Sequence, residues 1–534
     1  MKKKWPLICA LAIYFLIIAN WLVSSISKND GHLVYTLDDT YIHMAIAKNF
    51  VHNHMWSANG YGFTSTTSSP LWTFLLALTY FLFGVNNLSP LVLNIVMSAL
   101  LILAAFFFIK KYLDNRILLF GALLLVIFAT PLPTLTLSGM EHLLHSLLTL
   151  IFFNFSISYL SASQKRFQSE YKILAVLAPL LVMARYEGLF LVFAVSILLL
   201  VQKRLLESIF LAFIAITPVL IYGIGSILHG WFFLPNPIMI NGNFPGLSLT
   251  GIKQFVLFTM GNIRACPELF VLLIVPLLIL LFSYRRHAHE WDEKKYSILL
   301  LISIILLHVG FARIGAYYRY EAYLIILGLT VLATTMKDLG LTGWTQELKK
   351  EGLLNFSALL LFVALTLSPF LFRAHFAAAT TIQATNNIYT QQYQMALFLK
   401  KFYPTRAIAL NDIGAVGFIS NVKILDLWGL ASMDTKKLWK SNQFKPEIFD
   451  FAKNLNVKIA IVYESWFEGQ NGSFLPSQWI KVGQWTIANN VVCGSDTVTF
   501  FAVDSTATEE LNTNLKAFSK ELPNDVKQEY NLCF

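Results

Sequence analysis

Long apolar runs are the feature of this sequence that most constrains its fold. Runs of about 15 to 24 residues recur from residue 5 to residue 372 and then stop. A bilayer core about 30 Å thick is crossed by roughly 20 helical residues. Only 13% of the 534 residues are charged, whereas soluble domains carry about 25%. The pattern predicts a polytopic α-helical membrane domain over 1–372 and a soluble α/β or α+β domain over 373–534.

Eleven transmembrane helices are predicted from these runs. The opening "MKKK" with its apolar run suggests a signal peptide, but the run is long and no A-x-A-like site follows. We therefore expect a retained first span. The predicted spans are 5–27, 88–109, 116–130, 141–160, 172–185, 187–201, 205–228, 267–283, 296–312, 320–336 and 353–372.

The basic residues predict the orientation of these spans. With the N-terminus in the cytoplasm, the segments on its side hold more than twice as many Lys and Arg as the opposite loops. This is the bias that the positive-inside rule describes. Eleven spans then place the C-terminal domain outside the cytoplasm. The predicted outer loops are 28–69, 131–140, 185–187, 229–266 and 313–319.

The segment 70–84 does not fit this alternation. It is apolar but short, and as a true span it would invert every later loop. We favour a juxtamembrane helix in the outer leaflet, stabilised by its apolar face and by Trp72. The region 28–87 is then a first extracytoplasmic loop with juxtamembrane helices.

Charge and cysteine content exclude some function classes. The net charge is +10, but most Lys and Arg lie in short loops between apolar runs, which argues against a nucleic-acid partner. The four cysteines show no C-x-x-C spacing. Cys493 and Cys533 both lie in the C-terminal domain, where a disulfide and two free thiols are equally open.

The predicted outer loops hold few ionisable side chains, and ionisable groups at membrane depth normally face a cavity or a partner. The set that we single out lies in these loops or at the start of the span 141–160: Asp38, Asp39, Glu141, His142, Arg185, Glu187, Arg313 and Arg319. Arginine suits the oxygens of a lipid-linked phosphate. A carboxylate suits a base that takes the proton of an attacking hydroxyl. Together they indicate sugar transfer from a lipid phosphate.

Structural roles for the same residues stay open. The aspartate pair could cap a helix that begins at Thr40. Arg185 could form a structural ion pair with a neighbouring glutamate, and the two arginines after residue 312 could snorkel. His142 is expected on a helix face and not as a metal ligand.

Several motifs add a family resemblance. The stretches "LDDTYIHMAIAKNF" and "GYGFTSTTSSPLW" are followed by "SGMEHLL", "ARYEGLF", "FFLPNPIMIN" and "DIGAVGFISNVKILDLWGLA". In this order they resemble bacterial GT-C glycosyltransferases, most of all the terminal arabinofuranosyltransferase and mannosyltransferase-like branch. Two departures are Tyr186, where that branch has Pro, and extra residues between Gly60 and Pro70.

The resemblance implies a GT-C fold and an inverting transferase that uses a polyprenyl-phosphate sugar. It places the active site on the extracytoplasmic face of a bacterial inner membrane. It makes one aspartate of the first loop the catalytic base, with Asp38 slightly favoured over Asp39, and Glu141 a second acid. Arg185 and Arg319 are the candidates for the donor phosphate. A divalent cation such as Mg²⁺ or Ca²⁺ stays open. Further candidates for substrate binding are Glu187, Arg313, His142, Tyr318, Asn236 and Trp72.

The predicted function is transfer of a sugar to a hydroxyl of an envelope glycan or glycolipid such as lipopolysaccharide. Two alternatives remain. A lipid or sugar transporter or flippase would use the buried charges as a path, although the sequence shows no internal repeat. A non-catalytic envelope-glycan assembly protein would need no reactive carboxylate.

Overall fold

The computed structural model of the chain describes residues 4–161, 168–243, 246, 248–286, 292–335, 353–441, 443–469 and 472–530. The alternative of a disulfide between Cys493 and Cys533 lies outside these residues, because Cys533 is not among them.

The apolar runs form helices that pack through their buried faces, since a helix satisfies its own backbone hydrogen bonds. Helix α7 is central and packs against α4, α8 and α15. The helices of this part are α1 Trp5–Lys28, α2 Asp39–Asn53, α3 Pro70–Phe83, α4 Ser89–Lys110, α5 Arg116–Ala129, α6 Leu132–Ser138, α7 His142–Ser161, α8 Gln168–Ala184, α9 Gly188–Val201, α10 Leu205–Leu228, α11 Asn236–Asn241, α12 Leu249–Ala265, α13 Pro267–Arg286, α14 Glu293–Phe311, α15 Ala322–Thr335 and α16 Leu353–Ile388.

Six spans in the described part of the chain are long and apolar enough to cross a membrane. They are α1, α4, α5 with α6, α7, α10 and α14. The pair α12 and α13 is bent by 93° and gives a seventh if it counts as one span. Helices α9 and α15 are shorter apolar helices. A multi-pass membrane protein is thus confirmed, but the count of eleven is not.

The short helix α3 has a different environment from the one predicted. Its 14 residues extend about 21 Å, which is less than the hydrocarbon core. Trp72 is fully buried and belongs to a core that includes Phe418 of the C-terminal domain. The role of Trp72 as an interfacial anchor was therefore wrong, because its ring faces protein. A location of α3 in the outer leaflet stays a prediction.

One long helix joins the two parts of the chain. Helix α16 has 36 residues and runs through the predicted boundary at 372/373. It continues through a π-helical turn, Tyr389–Tyr393, into α17, Gln394–Phe402. Arg373 still forms an ion pair with Glu321 of the membrane domain, at 2.7 Å. The boundary between 1–372 and 373–534 stays a prediction, and it falls inside a helix.

The C-terminal part is an α/β domain, as predicted. Its six-stranded sheet has the order β2-β1-β3-β7-β6-β8. Strands β2, β1 and β3 are parallel, and the other neighbours are antiparallel. The strands are β1 Ala407–Leu410, β2 Lys423–Asp426, β3 Ile459–Val462, β4 Glu468–Gly469, β5 Gly472–Ser473, β6 Ile480–Thr486, β7 Thr497–Ala502 and β8 Lys527–Tyr530, where β4 and β5 form a separate hairpin; the helices are α18 Gly414–Ile419, α19 Met433–Lys440, α20 Phe444–Asn454 and α21 Thr508–Phe518.

The first loop and the C-terminal domain share one hydrophobic core. Tyr41 and Ala45 of α2 are buried in the same cluster as Val416 and Phe418 of α18. The parallel strands direct their carboxyl ends to the same edge of the sheet, where functional residues of α/β sheets usually lie. The contacts of α18 with α2 place that edge beside the first loop.

Candidate functional site

A cavity of about 350 Å³ lies where the predicted outer loops meet. Each of these loops contributes to its wall, and the C-terminal domain adds Leu430. The lining residues are Asp39, Ile42, His43, Thr66, Ser68, Met140, Arg185, Tyr186, Glu187, Leu189, Phe190, Leu234, Pro237, Ile238, Gly242, Asn243, Phe311, Ala312, Arg313, Arg319, Tyr320 and Leu430. The structure therefore brings to one place the loops that the charge pattern had assigned to one side.

Asp39 and Arg319 form an ion pair in this cavity. Arg319 Nη2 donates to Asp39 Oδ2 over 2.6 Å, and Arg319 Nε donates to the carbonyl of Ala316 over 2.8 Å. The Arg319 side chain is buried, whereas 45% of the Asp39 side chain is exposed. Asp39 is thus a solvated carboxylate held beside a rigid cation.

The loop that carries Arg319 has a strained backbone. Ala316, Tyr317 and Tyr318 have φ values of 47°, 62° and 67°, a region that residues other than glycine rarely adopt. Glu321 Oε2 accepts the N–H of Gly315 over 2.8 Å. Such strain persists only where surrounding contacts over-determine the backbone, and it is frequent at functional sites.

A second cluster of charges surrounds Arg185, which lies between α8 and α9. Its Nε and Nη2 donate to both oxygens of Glu187, over 3.1 and 2.6 Å. Its Nη1 donates to Glu141 Oε1 over 2.6 Å and to His142 Nε2 over 2.8 Å. The predicted structural pairing of Arg185 is therefore present, with both glutamates. Two carboxylates offset the charge of this one guanidinium.

Tyr320 and His43 connect the two clusters. The guanidinium carbons of Arg185 and Arg319 each lie 5.1 Å from the centre of the Tyr320 ring, a cation–π geometry. His43 Nδ1 lies 2.8 Å from Thr73 Oγ1, and its Nε2 lies 3.6 Å from Glu141 Oε2. These contacts fix both arginines at one level of the cavity wall.

Asp38 does not line the cavity, although it precedes Asp39 directly. Only 7% of it is exposed, and its side chain does not cap α2. Its carboxylate oxygens instead accept the backbone N–H groups of Gly414 and Ala415, over 2.6 and 2.7 Å. The neighbouring aspartates therefore face different parts of the molecule.

The other predicted site residues divide in the same way. Arg313 and Glu187 line the cavity. Glu141 is fully buried behind the wall, where Ser68 Oγ donates to it over 3.1 Å. Asn236 donates to the carbonyls of Gly429 and Leu430, over 2.9 and 3.1 Å, and so joins the loop 229–266 to the C-terminal domain. Among the predicted residues that do not line the cavity are also His142, Tyr318 and Trp72.

Several residues of the site were not predicted. Tyr320, which contacts both arginines, was not among the candidates. Asp412 contributes a carboxyl beside Asp38, and only its place in the "DIGA" motif could have pointed to it. The buried pair Arg373–Glu321 was not foreseen, because its partners are distant in sequence.

A divalent cation in the cavity would need several oxygen ligands grouped together. Within the described residues, no three His, Cys, Asp or Glu side chains are grouped so that they could hold a metal ion. Asp39, Glu141 and Glu187 are each paired with an arginine. These carboxylates do not form a ligand set for Mg²⁺ or Ca²⁺, which bind through several oxygen atoms.

Comparisons with known proteins support the fold. The chain aligns with the crystal structure of the Archaeoglobus fulgidus oligosaccharyltransferase in the apo form at a TM-score of 0.54 and 11% identity, over 94% of this chain and 75% of that one. It aligns with ArnT from Cupriavidus metallidurans bound to undecaprenyl phosphate at a TM-score of 0.52 and 11% identity, over 95% and 99%. The chain has a GT-C fold. This GT-C fold agrees with the resemblance, whereas the arabinofuranosyltransferase-like branch is not confirmed.

Sequence comparisons find one matching family, whose function is unknown. Residues 386–501 match a family described as a domain of unknown function, DUF8728. No curated protein matches the chain by sequence. The matched segment includes the strands β1–β6 and all but the last residue of β7, and with them the sheet edge that contacts the first loop.

Proposed function

We propose that the chain is an inverting glycosyltransferase that moves a sugar from a polyprenyl-phosphate donor to a hydroxyl of an envelope glycan or glycolipid. The observation that carries this proposal is the Asp39–Arg319 ion pair in a cavity that Arg185 and Arg313 also line. A base and a phosphate-binding cation are thus within reach of one bound molecule. The fold is that of ArnT, whose structure holds undecaprenyl phosphate.

Asp39 is the proposed base, in place of the slightly favoured Asp38. The acceptor hydroxyl attacks the anomeric carbon, and Asp39 takes its proton. The bond from that carbon to the phosphate oxygen breaks on the opposite face, so the configuration inverts. The polyprenyl phosphate leaves with the electron pair. We do not assign this role to Asp38, because it is buried, its oxygens accept the backbone N–H groups of the C-terminal domain, and it is not among the residues that line the cavity.

Arg319 and Arg313 are the proposed phosphate ligands. Negative charge grows on the leaving phosphate, and a preorganised cation in a sheltered cavity stabilises it. In the free protein Arg319 bonds Asp39. A bound phosphate would compete for the same guanidinium and leave Asp39 available to the acceptor. Arg185 is already matched by two carboxylates, so we assign it and Glu141 to shaping the cavity wall.

The apolar part of the cavity suits a lipid. Ile42, Leu189, Phe190 and Phe311 are among the lining residues, together with the charged ones. Tyr186 is shared with a second cleft of about 270 Å³ between α3, α8 and α10. That cleft is lined mainly by apolar side chains and gives the polyprenyl chain a route toward the bilayer.

The proposal is tested by mass spectrometry of envelope glycans from cells with and without the gene. We expect one pentose or hexose to be missing without it, and to return with the wild-type gene but not with Asp39→Asn. Asp114→Asn is the matched control, because Asp114 is exposed and outside the cavity. Unchanged glycans after gene removal would reject a transferase. Transport of a labelled lipid or sugar by the purified protein in liposomes, without a new glycosidic bond, would favour a flippase.

A further inference from the structure

A buried contact outside the cavity joins the first loop to the C-terminal domain. Asp38 is buried, and each of its carboxylate oxygens accepts one backbone N–H, from Gly414 and from Ala415. These partners are 376 and 377 residues away in sequence. We call Asp38, Gly414, Ala415 and Asp412 the latch.

Gly414 is required by the latch for steric reasons. A Cβ at this position would lie 2.0 Å from the Asp38 carbonyl oxygen and 2.6 Å from its carboxylate Oδ2. Both distances are below any normal contact, so a side chain here would push the two segments apart. At Gly417, in the same helix α18, the nearest atom to a Cβ would be the Ala58 carbonyl oxygen at 3.1 Å.

A polar network supports the latch from behind. Asp412 hydrogen-bonds with Asp38 and accepts from Gln392 Nε2 over 2.8 Å. The Tyr463 hydroxyl lies 2.6 Å from Gln391 Oε1 and 3.1 Å from Asp412. Both glutamines come from the π-helical turn, and π-helical turns are frequent at functional sites. The C-terminal domain thus contacts Asp38 through Asp412, and Asp412 is in turn hydrogen-bonded to Gln392 and Tyr463.

The charge state of the latch agrees with this geometry. Burial and the neighbouring carboxyl of Asp412 raise the pKa of Asp38 well above its ordinary value, and burial also raises the pKa of Asp412. Two adjacent buried carboxyls cannot both ionise easily. An amide at position 412 has both an oxygen that accepts and an NH2 group that donates, so it can keep a hydrogen bond with Asp38 whichever carboxyl carries the proton.

We propose that Asp38 is a positioning residue through which the C-terminal domain sets the location of the catalytic carboxylate of Asp39. This rests on the proposed function. Asp39 begins helix α2, and the preceding residue is the one that the latch holds. Because misplacement of a reacting group by about 1 Å can cost 100-fold in rate, the contact with Gly414 and Ala415 controls transfer without touching substrate. The same domain also contributes Leu430 to the cavity wall.

Three readouts on the full-length protein test the latch. They are the amount of the sugar restored to envelope glycans at matched expression, the Kd for undecaprenyl phosphate, and amide exchange at residues 414–415. For Asp38→Asn we expect transfer to fall at least 10-fold, the Kd to change by less than 2-fold, and exchange to quicken at least 10-fold. Gly414→Ala should act in the same way, and Gly417→Ala much less.

Substitutions at position 412 decide the question if the Asp38→Asn protein does not fold. Asp412→Asn should retain most of the transfer, whereas Asp412→Leu, which removes the hydrogen bond, should lose at least 3-fold. Wild-type transfer in both variants, or unchanged exchange at 414–415 in Asp38→Asn, overturns the latch. If gene removal alters no glycan, the proposed function fails separately, because amide exchange still reports on the contact.

Discussion

The two faces of the first loop show how neighbouring residues of one type acquire different roles. On the cavity face, Asp39 is 45% exposed on its side chain and pairs with an arginine. On the interdomain face, Asp38 is buried and accepts two backbone N–H groups. The first surroundings keep a carboxylate available to a substrate. The second surroundings bury the carboxyl group and bind it to the backbone of the C-terminal domain.

The largest effect is expected at the cavity face. Asp39→Asn should lower kcat by about 100- to 10,000-fold, the range that loss of a general base gives. The thermal midpoint should barely change, since an ion pair with a half-exposed carboxylate contributes little stability. Transfer assays with the donor found by mass spectrometry, together with thermal unfolding, measure both. A near-normal kcat for Asp39→Asn would contradict the assignment of Asp39 as the base.

Arg319→Ala should have the second-largest effect. We expect kcat to fall by about 100- to 1,000-fold, because the negative charge on the leaving phosphate loses its partner. Arg319→Lys should recover part of this loss, since lysine keeps the charge but not the planar fork. Binding of undecaprenyl phosphate and steady-state kinetics are the measurements. Arg406→Ala is the control, because Arg406 pairs with Glu510 at the exposed surface of the C-terminal domain. An equal effect of both alanine variants would contradict a phosphate site.

Glu141→Gln should show whether Glu141 supports the cavity wall or takes part in the reaction. Glu141 is fully buried and bonds Arg185, and breaking a buried ion pair typically costs about 3 kcal/mol of stability. We expect a clear loss in the free energy of unfolding and a fall in kcat of only about 10-fold. Glu510→Gln should show neither change. A loss of kcat as large as that of Asp39→Asn would instead make Glu141 a reacting group.

The smallest effect is a pH dependence at the interdomain face. Asp426 accepts the N–H groups of Trp428, Gly429 and Ala431 in the loop that leads to Leu430. Burial raises its pKa to about 6. Between pH 4 and 6 the folded protein therefore keeps a proton that the unfolded chain has released. The contribution of Asp426 to stability therefore falls as pH rises through this window.

Asp426→Asn removes that titration, so the wild type should lose on the order of 2 °C more than the variant in thermal midpoint from pH 4 to 6. Asp434→Asn, at an exposed site in the same domain, should behave as the wild type does. Parallel pH profiles for the wild type and Asp426→Asn would show that Asp426 has an ordinary pKa.

Much of the architecture was predictable because it depends on patterns of local sequence. Apolar runs become helices in a bilayer whatever their neighbours are, and the charges that we singled out belong to predicted outer loops that meet at one cavity. The count of spans was less predictable, because α9 and α15 have 14 residues each and length alone does not decide whether they cross. The boundary at 372/373 was also set by composition, although the helix continues beyond it.

The sequence by itself determined that this chain is a multi-pass membrane protein with an α/β domain, and that its acids and arginines gather at one end. Only the tertiary structure decided which aspartate faces the cavity, that Glu141 stands behind its wall, and that Gly414 receives Asp38. The physical reason is the distance along the sequence over which each interaction acts. Hydrophobic periodicity acts over a few residues, whereas the direction of a carboxylate depends on N–H groups more than 370 residues away.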